Sequence, residues 1–136
     1  YIAVDIVSDL IEHNKEQFVA ENLEFHCLDI TVDDLPSADC VILRQVLQHL
    51  SNAEIQYVAH KLSDYKYVIL TEHLPEDDFT PNKDIISGQG IRLQKQSGVV
   101  LTESPFNFKI KSEKQLSSVT SPNFEGVIVT TVYELG

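Results

Sequence analysis

Short apolar runs alternate with amphipathic stretches along the first half of the chain. The run YIAVDI at residues 1–6 is apolar up to its closing acid, which is the pattern of a strand buried on both faces. Between residues 7 and 19 the apolar positions follow helical spacing, with charged residues on the opposite side. Ser8 is the expected N-cap of this helix, and Asn22 is the expected stop. The chain therefore opens with a strand followed by a helix.

The same alternation continues to residue 74. The pattern predicts strands over residues 23–30, 39–46 and 66–74, with a second helix between the last two. Ser51, followed three residues later by Glu54, forms a capping box at the start of that helix. The buried stripe of the helix is expected to consist of Ile55, Val58, Ala59 and Leu62. Strands that alternate with helices in this way indicate an α/β protein with a mostly parallel sheet.

The pattern changes after residue 74. Residues 75–107 form a long polar connection that holds three of the five prolines and three of the five glycines. A connection of this length is often a functional loop on the substrate side, and a plain surface insertion is about as common. Two β-like runs follow at residues 108–120 and 126–135, joined by SPNFEG, and they predict an antiparallel hairpin.

Size and charge narrow the class of protein. The 136 residues fit one domain, and the formal net charge of -11 makes nucleic acid a poor partner. No apolar run approaches the roughly 20 residues that a membrane span needs, so we expect a cytoplasmic protein with no membrane contact. Cys27 and Cys40 lie in strand-like runs and are predicted to be reduced thiols in the core.

Polar residues stand where three of the predicted strands end. Asp5 closes the first strand, Asp29 closes the second, and Arg44, Gln45 and His49 follow the third. Ligands of open parallel sheets bind beyond the carboxyl ends of the strands, and a carboxylate there can accept two hydrogen bonds from a ribose diol. Two plainer interpretations stay open: Asp5 can be an acid favoured at a helix N-terminus, and Asp29 can form an Asx turn.

Four segments, in their order along the chain, resemble the cofactor-binding domain of class I S-adenosylmethionine-dependent methyltransferases. They are YIAVDIVSDLI, FHCLDITVDDLPSADCVILRQVLQHLSNAEI, KYVILTEHL and GVIVTTVYELG. The stretch DCVILRQVLQHLS is the most specific, because it is similar to the family's fourth-strand motif. The resemblance implies a Rossmann-like methyltransferase sheet with S-adenosylmethionine as cofactor and a small molecule as substrate.

The resemblance also assigns the residues that bind the cofactor. Asp5 would accept hydrogen bonds from the ribose hydroxyls, and Ile6 would lie against one face of the adenine. Asp29 would bind the adenine amino group, and the backbone of Ile30 would read the adjacent ring nitrogen. The remaining two assignments, at the methionine end of the cofactor, are Arg44 and Gln45.

The acceptor side of the site is less defined. A base is needed only if the acceptor loses a proton during attack, and the candidates are His49, Glu72 and His73. His49 can instead tie the strand end to the following helix. Lys83 and Arg92, in the connection at residues 75–107, are predicted to bind the substrate. The five histidines show no close pairing, which argues against a metal site.

The chain departs from the family at one diagnostic feature. The family's first strand and its glycine-rich turn are absent, and the close pair Gly88 and Gly90 follows the last parallel strand. That strand is central in the family's sheet, so its loss leaves unpaired strand edges. We expect either an N-terminal segment of several tens of residues before Tyr1 or a degenerate relative. An exposed edge beside Tyr1 would favour pairing with a second copy.

Three classes of function remain open. The first is a methyltransferase, and the second is a methyltransferase-like binding module that has lost its cofactor. The third is a nicotinamide-dependent oxidoreductase, which would also use an acid such as Asp5. The turn LRQVLQHLS and the antiparallel terminal hairpin have no reason to occur in the third class.

Overall fold

The computed structural model describes all residues from Tyr1 to Gly136. The regular elements are β1 (Ile2–Asp5), α1 (Ser8–Gln17), β2 (Glu24–Cys27), β3 (Cys40–Arg44), α2 (Asn52–Leu62), β4 (Tyr67–Leu74), β5 (Ser112–Ser121) and β6 (Phe124–Glu134). Two 3₁₀ turns cover Leu47–His49 and Arg92–Lys95. The chain forms two compact units, Tyr1–Ser37 and Ala38–Gly136. The single methyltransferase-like domain over residues 1–136 stays a prediction.

The first unit consists of a two-stranded parallel sheet and one helix. β1 pairs only with β2, and α1 buries Ile11, which is 2% exposed. The predicted N-cap at Ser8 is wrong, because Ser8 is already the first helical residue and Val7 precedes the helix without a side-chain cap. The backbone N–H of Val7 instead donates to Asp5 Oδ1 at 2.9 Å. The helix also ends earlier than Asn22, at Gln17.

The second unit contains a four-stranded mixed sheet in the order β3-β4-β6-β5. β3 and β4 are parallel, whereas β6 runs antiparallel to both β4 and β5. The predicted mixed α/β architecture with an antiparallel C-terminal hairpin is therefore confirmed. Within its own sheet, each of β1 and β3 has a single strand partner.

The helix α2 begins and packs as its sequence predicts. Ser51 Oγ accepts the backbone N–H of Glu54 at 3.3 Å, which is the helix-capping bond. The predicted stripe is buried and forms part of the core together with side chains from β4 and from the connection at residues 75–107. The fully buried apolar side chains of this unit are Leu47, Ile55, Val58, Leu62, Val68 and Leu101.

The connection at residues 75–107 contains no strand and no α-helix, yet it is packed. Val99, Leu101 and Phe106 are buried, and Asn82 is only 5% exposed. The amide nitrogen of Asn82 donates to the carbonyl oxygen of Val100 at 2.8 Å, and its Oδ1 accepts the N–H of Val100 at 2.8 Å. The segment is therefore part of the fold and not a loose surface insertion.

The prediction that both cysteines lie in the core is wrong. Cys27 and Cys40 are free thiols, and both are exposed. Alternate residues of a strand share one face, so Cys40 lies on the same face of β3 as Ile42, whose side chain is 56% exposed. Only the opposite face of β3, which carries Leu43, is covered.

Candidate functional site

In the first unit, the two predicted adenosine-binding residues at the end of β1 are accessible. One carboxylate oxygen of Asp5 accepts the N–H of Val7, which is the helix-start role that the sequence left open. The other oxygen has no hydrogen bond in the structure and can accept one from a ligand. Ile6, the next residue, is 63% exposed. Asp5 can thus start the helix and still bind a hydroxyl group.

Asp29 lies beyond the end of β2, in a tight turn and not in the predicted strand. Its Oδ1 accepts the backbone N–H of Thr31 at 2.9 Å and the Thr31 hydroxyl at 2.7 Å. Its own N–H donates to Asp33 Oδ2 at 2.8 Å. This is the Asx turn that the sequence allowed, and it orders the backbone of the next residue, Ile30.

In the second unit, residues 44–49 form a polar turn at the carboxyl end of β3. Gln45 has a φ of 55°, so β3 ends at Arg44 although the apolar pattern continues to Val46. A non-glycine residue in this left-handed region costs of order 1–3 kcal/mol, and such residues cluster at functional sites. The Gln45 N–H donates to the carbonyl oxygen of Thr71 at 2.8 Å. The side chains of Arg44 and Gln45 make no hydrogen bond in the structure and are available to a ligand.

Two further residues of the polar turn are held from inside the fold. Gln48 is 6% exposed, and its Oε1 accepts the backbone N–H of His73 at 3.0 Å. The carbonyl oxygen of His49 accepts the N–H of Gly88 at 3.0 Å, while Nδ1 of His49 is buried without a hydrogen bond. Sequence analysis missed Gln48, because its partner lies 25 residues away and no local pattern signals the contact.

Glu72 has the most unusual environment of the predicted catalytic residues. Its side chain lies near the carboxyl end of β4, is 4% exposed, and neither carboxylate oxygen forms a hydrogen bond of normal geometry. Burial raises the pKa of Glu72 to about 8, although Arg92 and the backbone amides of Gln48 and Leu47 act in the opposite direction. At neutral pH the carboxyl group therefore retains its proton.

His73 is engaged in holding the terminal hairpin. Its ring nitrogen Nε2 is hydrogen-bonded to the carbonyl oxygen of Glu125, and its ring meets that of Phe124 edge to face at 5.3 Å. Gly126 is required here: its φ is +79°, and a Cβ atom would lie 2.5 Å from the carbonyl oxygen of Leu74. A role as base would require the bond of His73 to Glu125 to break.

The structure corrects the prediction that Arg92 contacts a substrate. Arg92 is 1% exposed, and its guanidinium group donates to protein oxygens on three sides. Lys83 is exposed, but its Nζ donates to the carbonyl oxygen of Lys95 at 2.8 Å. A sequence pattern cannot distinguish such an arginine from a ligand-binding one, because the carbonyl groups that surround it come from distant segments.

The structure brings together no group of three or more His, Cys, Asp or Glu side chains that could hold a metal ion. It also contains no helix that is long and apolar enough to span a bilayer.

Comparison with solved structures identifies the fold. Human N-acetylserotonin methyltransferase, crystallised with S-adenosylmethionine, matches 99% of the chain with a TM-score of 0.63 and 15% identity. DhpI, crystallised with S-adenosylhomocysteine, matches 98% with a TM-score of 0.58 and 14% identity. A Listeria monocytogenes protein described as an S-adenosylmethionine-dependent methyltransferase matches 99% with a TM-score of 0.60 and 9% identity. The chain has the class I methyltransferase-like fold.

The chain is shorter than each of these proteins and spans less than two thirds of the first two. The chain spans 40% of the human enzyme, 65% of DhpI and 80% of the Listeria protein. No protein-family model matches the chain, and no curated protein matches its sequence. The likeness is therefore one of fold, and the residues of the site carry the argument about function.

Proposed function

We propose that the chain takes part in methyl transfer from S-adenosylmethionine to a small-molecule acceptor. The observation that carries the proposal is Glu72, a buried carboxyl group near the end of a parallel strand whose oxygens make no hydrogen bond of normal geometry. Backbone amides of the polar turn lower the pKa of Glu72. The side chains of Arg44 and Gln45, in the same turn, make no hydrogen bond in the structure. Two proteins of the same fold were crystallised with S-adenosylmethionine or S-adenosylhomocysteine.

The cofactor-binding residues keep the roles that the resemblance implies. The unbonded oxygen of Asp5 is suited to a ribose hydroxyl, and the exposed side chain of Ile6 is suited to an adenine face. The Asx turn of Asp29 fixes the backbone of Ile30 for a contact with the adenine edge.

The polar turn and Glu72 define the proposed chemistry. When bound, S-adenosylmethionine would supply an electrophilic methyl group, whose bond to sulfur breaks as the acceptor atom bonds the methyl carbon in line, so that S-adenosylhomocysteine leaves. The chain contributes mainly by orienting the acceptor, because correct positioning accounts for much of the acceleration of such a step. Glu72 can hydrogen-bond a hydroxyl or amine of the acceptor, and in its ionised form it can take a proton from that group.

The second candidate is a methyltransferase-like binding module without cofactor, which the solved structures of the same fold do not favour, since two of them hold S-adenosylmethionine or S-adenosylhomocysteine. The two candidates differ in whether the chain binds cofactor, which a titration decides. The acceptor, the oligomeric state and the cytoplasmic location stay predictions.

Calorimetric titration of the chain with S-adenosylhomocysteine tests the proposal. We expect micromolar binding that the Asp5→Ala variant abolishes, because a carboxylate that accepts hydrogen bonds from a diol is lost. Asp5→Asn is the matched control: its amide oxygen can still accept the N–H of Val7, so helix α1 stays intact while the charge is removed. Binding that is unchanged in Asp5→Ala would refute the assigned adenosine site, and no binding by the parent chain would favour the second candidate.

The pH dependence of transfer tests Glu72 as the base. With labelled S-adenosylmethionine and a pool of small-molecule acceptors, we expect the transfer rate to rise as the pH passes about 8, where Glu72 loses its proton. The Glu72→Gln variant should lose about 100-fold in rate and show no such rise. A parental pH profile that persists in Glu72→Gln would assign the titrating group elsewhere.

A further inference from the structure

Arg92 is the largest fully buried side chain of the protein, and every part of its guanidinium group is hydrogen-bonded to a neutral oxygen. Nε donates to the carbonyl of Lys83 at 2.7 Å, and Nη1 donates to that of Gln48 at 3.4 Å. Nη2 donates to the carbonyl of Leu50 at 2.8 Å and to Asn52 Oδ1 at 2.7 Å. A buried charge is costly unless it is bonded in this way, so the arrangement depends on all three segments that supply the oxygens.

These bonds attach the connection at residues 75–107 to the polar turn and to the start of α2. Five further bonds join the same segments. Ser51 N–H donates to Ser87 Oγ at 2.8 Å, Asn52 N–H donates to Asp84 Oδ1 at 2.8 Å, and Gly88 N–H donates to the His49 carbonyl at 3.0 Å. The Asn52 amide nitrogen donates to the carbonyl of Asn82 at 2.8 Å, and the Ser87 hydroxyl donates to Glu54 Oε1. The bonds of Ser51 N–H and Asn52 N–H lie at exposed positions, whereas Arg92 bonds the turn from the interior.

The charge of Arg92 also acts on the site. Burial raises the pKa of Glu72, and the charge of Arg92 partly offsets this by lowering it. Burial lowers the pKa of Arg92, and Asp84 and Glu72 partly offset this by raising it. Glu72 also faces Tyr133 on β6, whose pKa it helps to raise.

We propose that Arg92 is a positioning residue: its guanidinium group fixes residues 48–50, at the end of the polar turn, through the carbonyls of Gln48 and Leu50. The use of this position depends on the proposed function, whereas the hydrogen bonds that carry the inference all lie within residues 38–136. Arg92 thus acts through the turn and does not itself contact the acceptor.

Two substitutions separate the hydrogen bonds of Arg92 from its charge. Arg92→Lys keeps the charge but loses the planar array of donors, and Arg92→Gln keeps some donors but loses the charge. Lys95→Ala is the control, because Lys95 is exposed and bonds the same connection through the carbonyl of Asp84. For each variant we would measure amide exchange at Gly88, the pKa of Glu72 from its carboxyl signal by NMR, and affinity for S-adenosylhomocysteine.

Arg92→Lys should speed exchange at Gly88 about tenfold or more and leave the pKa of Glu72 near its parental value. Arg92→Gln should speed exchange as well and raise the pKa of Glu72, because the guanidinium charge is lost, and Lys95→Ala should change neither quantity. Both Arg92 variants should weaken S-adenosylhomocysteine binding if the polar turn contacts the cofactor.

The proposal is overturned if Arg92→Lys, or a folded Arg92→Gln protein, leaves exchange at Gly88 unchanged. If Arg92→Gln fails to fold, Arg92→Lys still decides whether the guanidinium array holds the turn. If the parent chain itself does not bind S-adenosylhomocysteine, the proposed function fails, while the exchange measurement still decides the role of Arg92.

Discussion

Glu72 is expected to make the protein less stable as the pH rises from about 4.5 to about 8. In the folded chain the pKa of Glu72 is raised to about 8, whereas an unfolded chain has the ordinary value of 4.5. Between these values the folded state holds a proton that the unfolded state has released, so raising the pH favours unfolding. The stabilising contribution is complete below pH 4.5 and is lost by about pH 8, and the total change is of order 5 kcal/mol in the free energy of unfolding.

The Glu72→Gln variant isolates this contribution, because glutamine has the same shape and does not ionise. Urea unfolding at a series of pH values should show the variant gaining stability relative to the parent as the pH rises, with the gain complete above about pH 8. Glu76→Gln is the control, since Glu76 is exposed on the connection after β4. A constant difference between parent and Glu72→Gln at every pH would contradict the raised pKa.

Asn82→Ala is expected to destabilise the chain by about 3 kcal/mol or more. The Asn82 side chain is buried, and it bonds Val100 in both directions and donates to the carbonyl of Ser104 at 3.0 Å. Its removal leaves the N–H of the half-buried Val100 without a partner, at a cost of roughly 1–3 kcal/mol, and takes away one of the two N–H groups that the Val100 carbonyl accepts. Asn82 also has a φ of 59°, which alanine tolerates less well than asparagine.

Asn107→Ala is the matched control for this prediction. Asn107 has a similar φ of 45°, but it is exposed and makes a single side-chain bond, to the carbonyl of Pro105 at 3.4 Å. Denaturant unfolding should therefore show a loss of under about 1 kcal/mol for Asn107→Ala. Equal losses in the two variants would attribute the effect to backbone conformation and not to the buried hydrogen bonds.

The sequence predicted well those helices and strands that a local pattern of residues specifies. The cap at Ser51 and the apolar stripe from Ile55 to Leu62 specify α2 within a dozen residues, and the structure has both, although the N–H of Ser51 donates to Ser87 and not to Glu54 as a full capping box requires. The parallel β3-β4 pair and the antiparallel hairpin follow from the order of apolar runs and from the turn residues between them. Errors arose at the ends of elements, where one backbone angle, such as that of Gln45, stops a strand inside an apolar run.

The candidate site was predictable in position but not in its internal bonding. Sequence reasoning named Glu72 and the polar turn because acids and polar residues follow apolar strands. It could not predict that the carboxylate oxygens of Glu72 make no hydrogen bond of normal geometry, nor that Gln48 accepts the N–H of His73. Hydrogen bonds across 25 or more residues leave no periodic trace in the sequence, since only the folded chain brings the donor to its acceptor.

By itself, then, the sequence determined the order of strands and helices, the mixed α/β class and the strand ends that carry polar residues. These features depend on hydrophobic periodicity and on capping, which act over a few neighbouring residues. The tertiary structure alone decided that the thiols of Cys27 and Cys40 are exposed, that burial raises the pKa of Glu72 and that Arg92 is buried. Exposure, pKa and buried pairing depend on which distant segments meet, and packing in three dimensions settles that.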